Sequence, residues 1–74
     1  MANGRIVIDP HIQHGKPVIR GTRVPVARIV GGLAGGMSFD EVAREYGVSI
    51  EDIRAALAFA ADLIGSEEFH PLPK

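Results

Sequence analysis

The most chemically loaded stretch of this chain is residues 15–23, Gly-Lys-Pro-Val-Ile-Arg-Gly-Thr-Arg. It packs two glycines, a proline and three bases around the β-branched pair Val18-Ile19. Such a mixture suits a phosphate cradle, a nucleic-acid contact or a tight bend. His14-Gly15-Lys16 resembles the end of a phosphate loop, but that loop needs Gly at position 10 and Ser or Thr at position 17. Both positions are Pro, which removes nucleotide binding. His11 and His14, with Asp9 nearby, have a spacing a metal could use, yet no further ligands accompany them, so a solvated pair is expected and no metal. Most acids sit at helix starts, where the helix dipole favours them, and form no evident catalytic pair. No Ser, Thr or His stands in a nucleophile motif. The expectation is a protein that is not an enzyme and uses no cofactor, with Lys16, Arg20 and Arg23 left as phosphate contacts.

Charge supports that use of the bases. The net charge is only −1. Residues 1–36 nevertheless carry five bases against Asp9 alone, whereas residues 37–74 carry three bases against eight acids. The first part is thus +4 and the second −5. Either the basic part meets an anionic partner, or the two parts complement each other within or between subunits. With 74 residues and no Cys, the chain is one domain without disulfides. A domain of this size buries only about 60% of its unfolded surface, so a partner chain is an expected source of further burial. The longest low-charge stretches, 29–37 and 55–61, are too short for a membrane span, and the first residues lack a signal-peptide apolar run. A cytoplasmic protein without membrane contact is expected.

The elements that must position these residues are legible in turn. Arg5–Asp9 is β-branched and stops at Asp9-Pro10, which predicts a short strand. Val18-Ile19 predicts a second, paired to the first through 11–16, with Pro17 at its start. A helix then begins with Pro25 at its first position, and Val26, Ile29, Val30 and Leu33 form one stripe. Gly31-Gly32 weakens this helix and allows another backbone to approach; Gly35-Gly36 stops it. Ser38 and Glu41 have capping-box spacing, and Phe39, Val42, Ala43 and Tyr46 make the next stripe. Gly47 ends that helix, and Ser49 with Asp52 caps a third, running to about Ile64. The fold expected is mainly α: short N-terminal strands (5–24) and a three-helix unit with a helix-turn-helix (25–65), in one domain of 1–65. Residues 66–74, with two prolines and no periodicity, are expected to be an extended or disordered tail.

The second and third helices, joined by Gly47-Val48-Ser49, must cross steeply, as in a helix-turn-helix. Such a pair presents the start of its second helix to the major groove, here through Ser49 and Arg54. Glu51 and Asp52 in the same turn oppose phosphates, so the bases outside the pair must supply the counter-charge. On the third helix, Ile50, Ile53, Leu57, Ala60 and Ile64 form one stripe, and Ala56, Phe59 and Leu63 a second. Two stripes make its far half apolar nearly all round. A homodimer through Leu57, Phe59, Ala60, Leu63 and Ile64 is expected, and it would match a palindromic DNA site.

The segments Ile-Asp-Pro-His-Ile-Gln-His-Gly-Lys-Pro-Val-Ile-Arg-Gly-Thr-Arg-Val-Pro-Val (8–26), Gly-Gly-Met-Ser-Phe-Asp-Glu-Val-Ala-Arg-Glu-Tyr-Gly-Val-Ser (35–49) and the Ala-Leu-Ala-Phe-Ala run (56–60) carry a resemblance. Over roughly residues 5–64 the chain resembles the family known as domain of unknown function 433. The family often has an aromatic-Pro-x-Leu turn between its last two helices; here the turn is Tyr46-Gly47-Val48-Ser49, closer to an ordinary helix-turn-helix. Members resemble VapB-like antitoxins of type II toxin–antitoxin pairs, often encoded beside a PIN-like toxin. The resemblance implies a winged or homeodomain-like helical fold and a small oligomeric antitoxin that neutralises such a ribonuclease-like toxin and binds its own operator DNA. The tail 67–74 or the N-terminal strands are the surfaces expected to hold the toxin. The rival expectation is an interaction module that self-associates and masks a partner without DNA.

Overall fold

The computed structural model describes residues 4–65; the tail expected to be extended lies outside them. The chain begins with an antiparallel pair, β1 (Ile6–Val7) and β2 (Val18–Ile19), in the register Ile6↔Ile19 and Val7↔Val18. Two residues per strand hold little on their own. The second edge of β2 supplies the rest: Ile19 N donates to Val24 O (3.0 Å), Val26 N donates to Pro17 O (2.9 Å), and Val18 bridges Pro25. Between these passes the chain reverses at Ile19–Thr22, where Thr22 N donates to Ile19 O and Gly21 has φ 80. That is the positive φ a type II turn requires at its third residue. Thr22 pins the reversal, its Oγ1 donating to Ile19 O (2.7 Å) and accepting from Val24 N (3.0 Å).

The connection between the strands is tighter than a plain loop. His11 N donates to the Asp9 carboxylate (2.8 Å), and Gln13 (φ 50), His14 (φ 57) and Gly15 (φ 84) follow in left-handed conformation. The motif Gly15–Arg23 is therefore a folding device: a left-handed turn, a central strand and a glycine reversal that delivers the chain to the first helix.

Three helices complete the fold: α1 (Val26–Ala34), α2 (Phe39–Tyr46) and α3 (Ile50–Gly65). Pro25 is the cap of α1 with extended backbone (ψ 144), one residue before the first helical position expected for it. Ser38 and Glu41 form the full capping box of α2, and Gly47 closes that helix at φ 66. Ser49 and Asp52 repeat the reciprocal cap at α3: Asp52 N donates to Ser49 Oγ (3.0 Å) and Ser49 N to the Asp52 carboxylate (3.1 Å). The core joins Ile19, Val26, Ile29, Val42, Val48, Ile53 and Ala56, all buried. Burial of each larger aliphatic contributes about 1.5–3 kcal/mol.

Two expectations change. Phe39 is not a core residue; it stands at the start of α2, 38% exposed. At the first position of a two-turn helix its stripe has already run past the core. Nor does Gly31-Gly32 seat the backbone of another helix against its Cα atoms. A Cβ at Gly31 would meet nothing, and one at Gly32 would meet the side chains of Met37, Val42 and Tyr46. Gly32 makes room for Met37 and for the α2 side chains Val42 and Tyr46.

Candidate nucleic-acid interface

The start of α3 is assembled from two distant parts of the chain. The register of β1 and β2 sets Arg5 opposite Arg20, whose N donates to Arg5 O (2.7 Å). Arg5 Nη1 then reaches the Asp52 carboxylate at 3.0 Å, in the first turn of α3. The Arg20 side chain donates from Nε to Gly4 O (2.6 Å). The Arg5–Asp52 pair thereby links hairpin and helix start, and two guanidinium groups stand at one end of the hairpin.

This placement sorts the residues expected to touch DNA. Arg20 lies at the hairpin end tied to α3, and Arg23 follows it in the same reversal; both are exposed. Lys16 is exposed too, but it precedes β2, about 13 Å from Arg20 along an extended chain. It belongs to the opposite end. Arg54 is exposed between the buried Ile53 and Ala55, so it points off the outer face of α3. Ser49 is exposed, and its hydroxyl oxygen already caps the helix by accepting from Asp52 N.

Arg5 is the residue that sequence reasoning missed. Its link to Asp52 spans 47 positions, and the only signal in the sequence was its place opposite Arg20 once the strands pair. The pair also changes the meaning of an acid. Burial pushes the Asp52 carboxyl up, but the Ser49 backbone N–H, the Arg5 guanidinium and the Ser49 hydroxyl outweigh this and hold it below the usual carboxylate range. Asp52 is a joint; Glu51 beside it is the exposed acid of that turn. Glu41, in the α2 cap, is likewise held low, first by the Ser38 backbone N–H and then by its hydroxyl. Asp9, His11 and His14 do not gather into a metal-ligand group; none of three or more His, Cys, Asp or Glu forms among the described residues.

The residues expected to join two copies divide. Leu57 and Phe59 are half-buried against the chain's own core, and Ala60 is half-buried, while Leu63 and Ile64 are exposed at 56% and 58%. No helix among the described residues is long and apolar enough to cross a membrane.

A two-stranded hairpin locked to a capped three-helix unit defines the class: a small, mainly helical domain. The chain belongs to the family described as "Protein of unknown function (DUF433)", whose model matches residues 6–60. Over 55 residues it is 40% identical to a Mycobacterium tuberculosis protein named as a candidate antitoxin, VapB45; the match takes in 74% of this chain and 23% of that protein. The crystal structure of Rv2018 from Mycobacterium tuberculosis is similar, with TM-score 0.65 and 42% identity, over 70% of this chain and 24% of that one. A DUF433 member from Anabaena variabilis superposes with TM-score 0.76 and 31% identity, over 82% of this chain and 61% of that one. The chain therefore spans about a quarter of the length of the mycobacterial relatives.

Proposed function

We propose that this chain is the antitoxin of a toxin–antitoxin pair and a non-catalytic helix-turn-helix protein that binds its own operator DNA as a homodimer. The antitoxin part is supported by family membership and by the name of the mycobacterial relative. One observation carries the DNA part: the Arg5–Asp52 pair seats the basic hairpin beside the capped start of α3. In a helix-turn-helix that start enters the major groove, and flanking bases neutralise phosphates. Arg20 and Arg23 take the phosphate role, Arg54 and Ser49 the groove, and Lys16 an outlying phosphate. The exposed end of α3, with Leu63 and Ile64 backed by Leu57, Phe59 and Ala60, joins two copies, which suits a two-fold site. A PIN-like ribonuclease is the toxin this reading pairs with the chain.

The test is binding to DNA upstream of the protein's own gene, measured from about 50 to 200 mM salt. Affinity should fall steeply with salt, and Arg20→Ala with Arg23→Ala should flatten that dependence by about two charges. Binding that ignores salt, or a double variant indistinguishable from the parent, refutes the DNA role. The exposed Glu51 favours a second reading, a module that masks a partner protein without DNA; co-purification with the neighbouring gene product and no DNA retention would support it.

A further inference from the structure

β2 is closed on both edges, by β1 on one side and by the Val24–Val26 pass on the other. The outer edge of β1 is open. Arg20 N donates to Arg5 O, so Arg5 and Arg20 are a hydrogen-bonded pair, and the register makes Val7 and Val18 the next such pair. Antiparallel pairing alternates, so the N–H and C=O groups of Ile6 and Ile8 point away from β2. Among the described residues no other backbone group takes them up. The same edge carries Ile8, at 61% the most exposed large hydrophobic side chain of the described residues.

An open edge is a template for another strand, and the sequence on this one is complementary to itself. Arg5-Ile6-Val7-Ile8-Asp9 reads base, three β-branched aliphatics, acid. We infer that β1 of a second copy adds to this edge, antiparallel and centred with Val7 opposite Val7. Each Arg5 then stands opposite an Asp9, and each Ile6 opposite an Ile8. The hydrogen-bonding parity agrees, because Ile6 and Ile8 are the residues that face outward; each Ile6–Ile8 pair exchanges two N–H···O bonds. Ile6 packs against the core, and Ile8 shares its face of the strand, so each exposed Ile8 covers Ile6 of the other copy. A parallel copy would set like charges side by side, and a slip by one residue would set outward groups against inward ones. The complementarity is one of charge at the strand ends; it leaves the Arg5–Asp52 pair and the His11 N–H bond to Asp9 in place. The contact is isologous, and two chains share one sheet in the order β2-β1-β1-β2. It goes beyond the α3 contact proposed above and rests neither on that contact nor on DNA.

The chain has no Cys, so single cysteines can trap the pairing. The two Val7 residues form a non-hydrogen-bonded pair with Cα atoms about 4.5 Å apart, within reach of a disulfide. The two Ile8 residues stand diagonally, about 7–8 Å apart, beyond that reach. Chance collision ranks the positions the other way, because Val7 is half-buried and Ile8 exposed. Under mild oxidation V7C should form a covalent dimer on the order of tenfold faster than I8C. V7C combined with I8K should fall back to the I8C rate, since a lysine on an edge opposes strand addition. Circular dichroism of the reduced variants should match that of the parent. The second measurement needs no variant. In the parent, the Ile6 and Ile8 amide protons should exchange more slowly in concentrated than in dilute solution, while the Val7 amide, already in the β1–β2 ladder, should not change. I8C that links as fast as V7C, I8K without effect, or exchange at Ile6 and Ile8 that ignores concentration overturns the inference and leaves the edge to a strand of another protein or to none.

Discussion

Single residues carry this fold at its corners, and Gly47 is the clearest. It holds φ 66 between α2 and α3, and its N–H donates to Ala43 O. A Cβ there meets no neighbour, so only backbone strain opposes a side chain. Left-handed backbone costs an L residue roughly 1–2 kcal/mol, and Asn tolerates it better than Ala. Gly47→Ala should therefore lower stability by about 1 kcal/mol, or about 4–8 °C in Tm for a domain this small, and Gly47→Asn by clearly less. Thermal melts of the two variants check this. Equal losses would mean that the turn is limited by space or water, against the open surroundings of this residue.

At the scale of elements, the sequence was most legible where the code is local. Both reciprocal caps, Ser38 with Glu41 and Ser49 with Asp52, form as their three-residue spacing requires. The β1–β2 pairing was equally readable from two β-branched runs separated by turn residues. Phe39 was misread because periodicity reports which face a residue shares and says nothing of how far along the helix the core reaches. The Arg5–Asp52 joint was invisible because it depends on how elements pack. The caps have a consequence for pH. Glu41 and Asp52 are held below their ordinary values when folded, so each adds stability above the unfolded carboxylate value of about 4, and loses it as pH falls through the lower folded value. Stability should be level from about pH 7 to 5 and decline below about pH 4. Glu41→Gln with Asp52→Asn should remove part of that decline and cost stability at neutral pH. A double variant whose acid profile matches the parent's would assign the decline to other carboxylates.

For the whole molecule, a net charge of −1 gives no general attraction to DNA, so the operator binding proposed above would have to come from how charge is arranged. Glu51 and Asp52 make the sharpest comparison. Both lie in the first turn of α3, and neutralising either changes net charge by the same +1. If only the overall field mattered, Glu51→Gln and Asp52→Asn would tighten operator binding equally. Their surroundings predict different results. Glu51 is exposed, so its removal lifts a repulsion from the phosphates and should tighten binding several-fold at low salt, with the gain fading as screening grows. Asp52 holds both the Ser49 cap and Arg5. Its neutral amide gives up the ion pair that seats the hairpin, and a misplaced Arg20–Arg23 reversal loses phosphate contacts. Asp52→Asn should therefore leave binding unchanged or weaker despite its more favourable charge. Fluorescence anisotropy of both variants on one DNA fragment, from about 50 to 200 mM salt, decides the matter. Equal tightening by the two would show that the hairpin takes no part in holding DNA, and the basic Gly15–Arg23 stretch would then serve the fold alone.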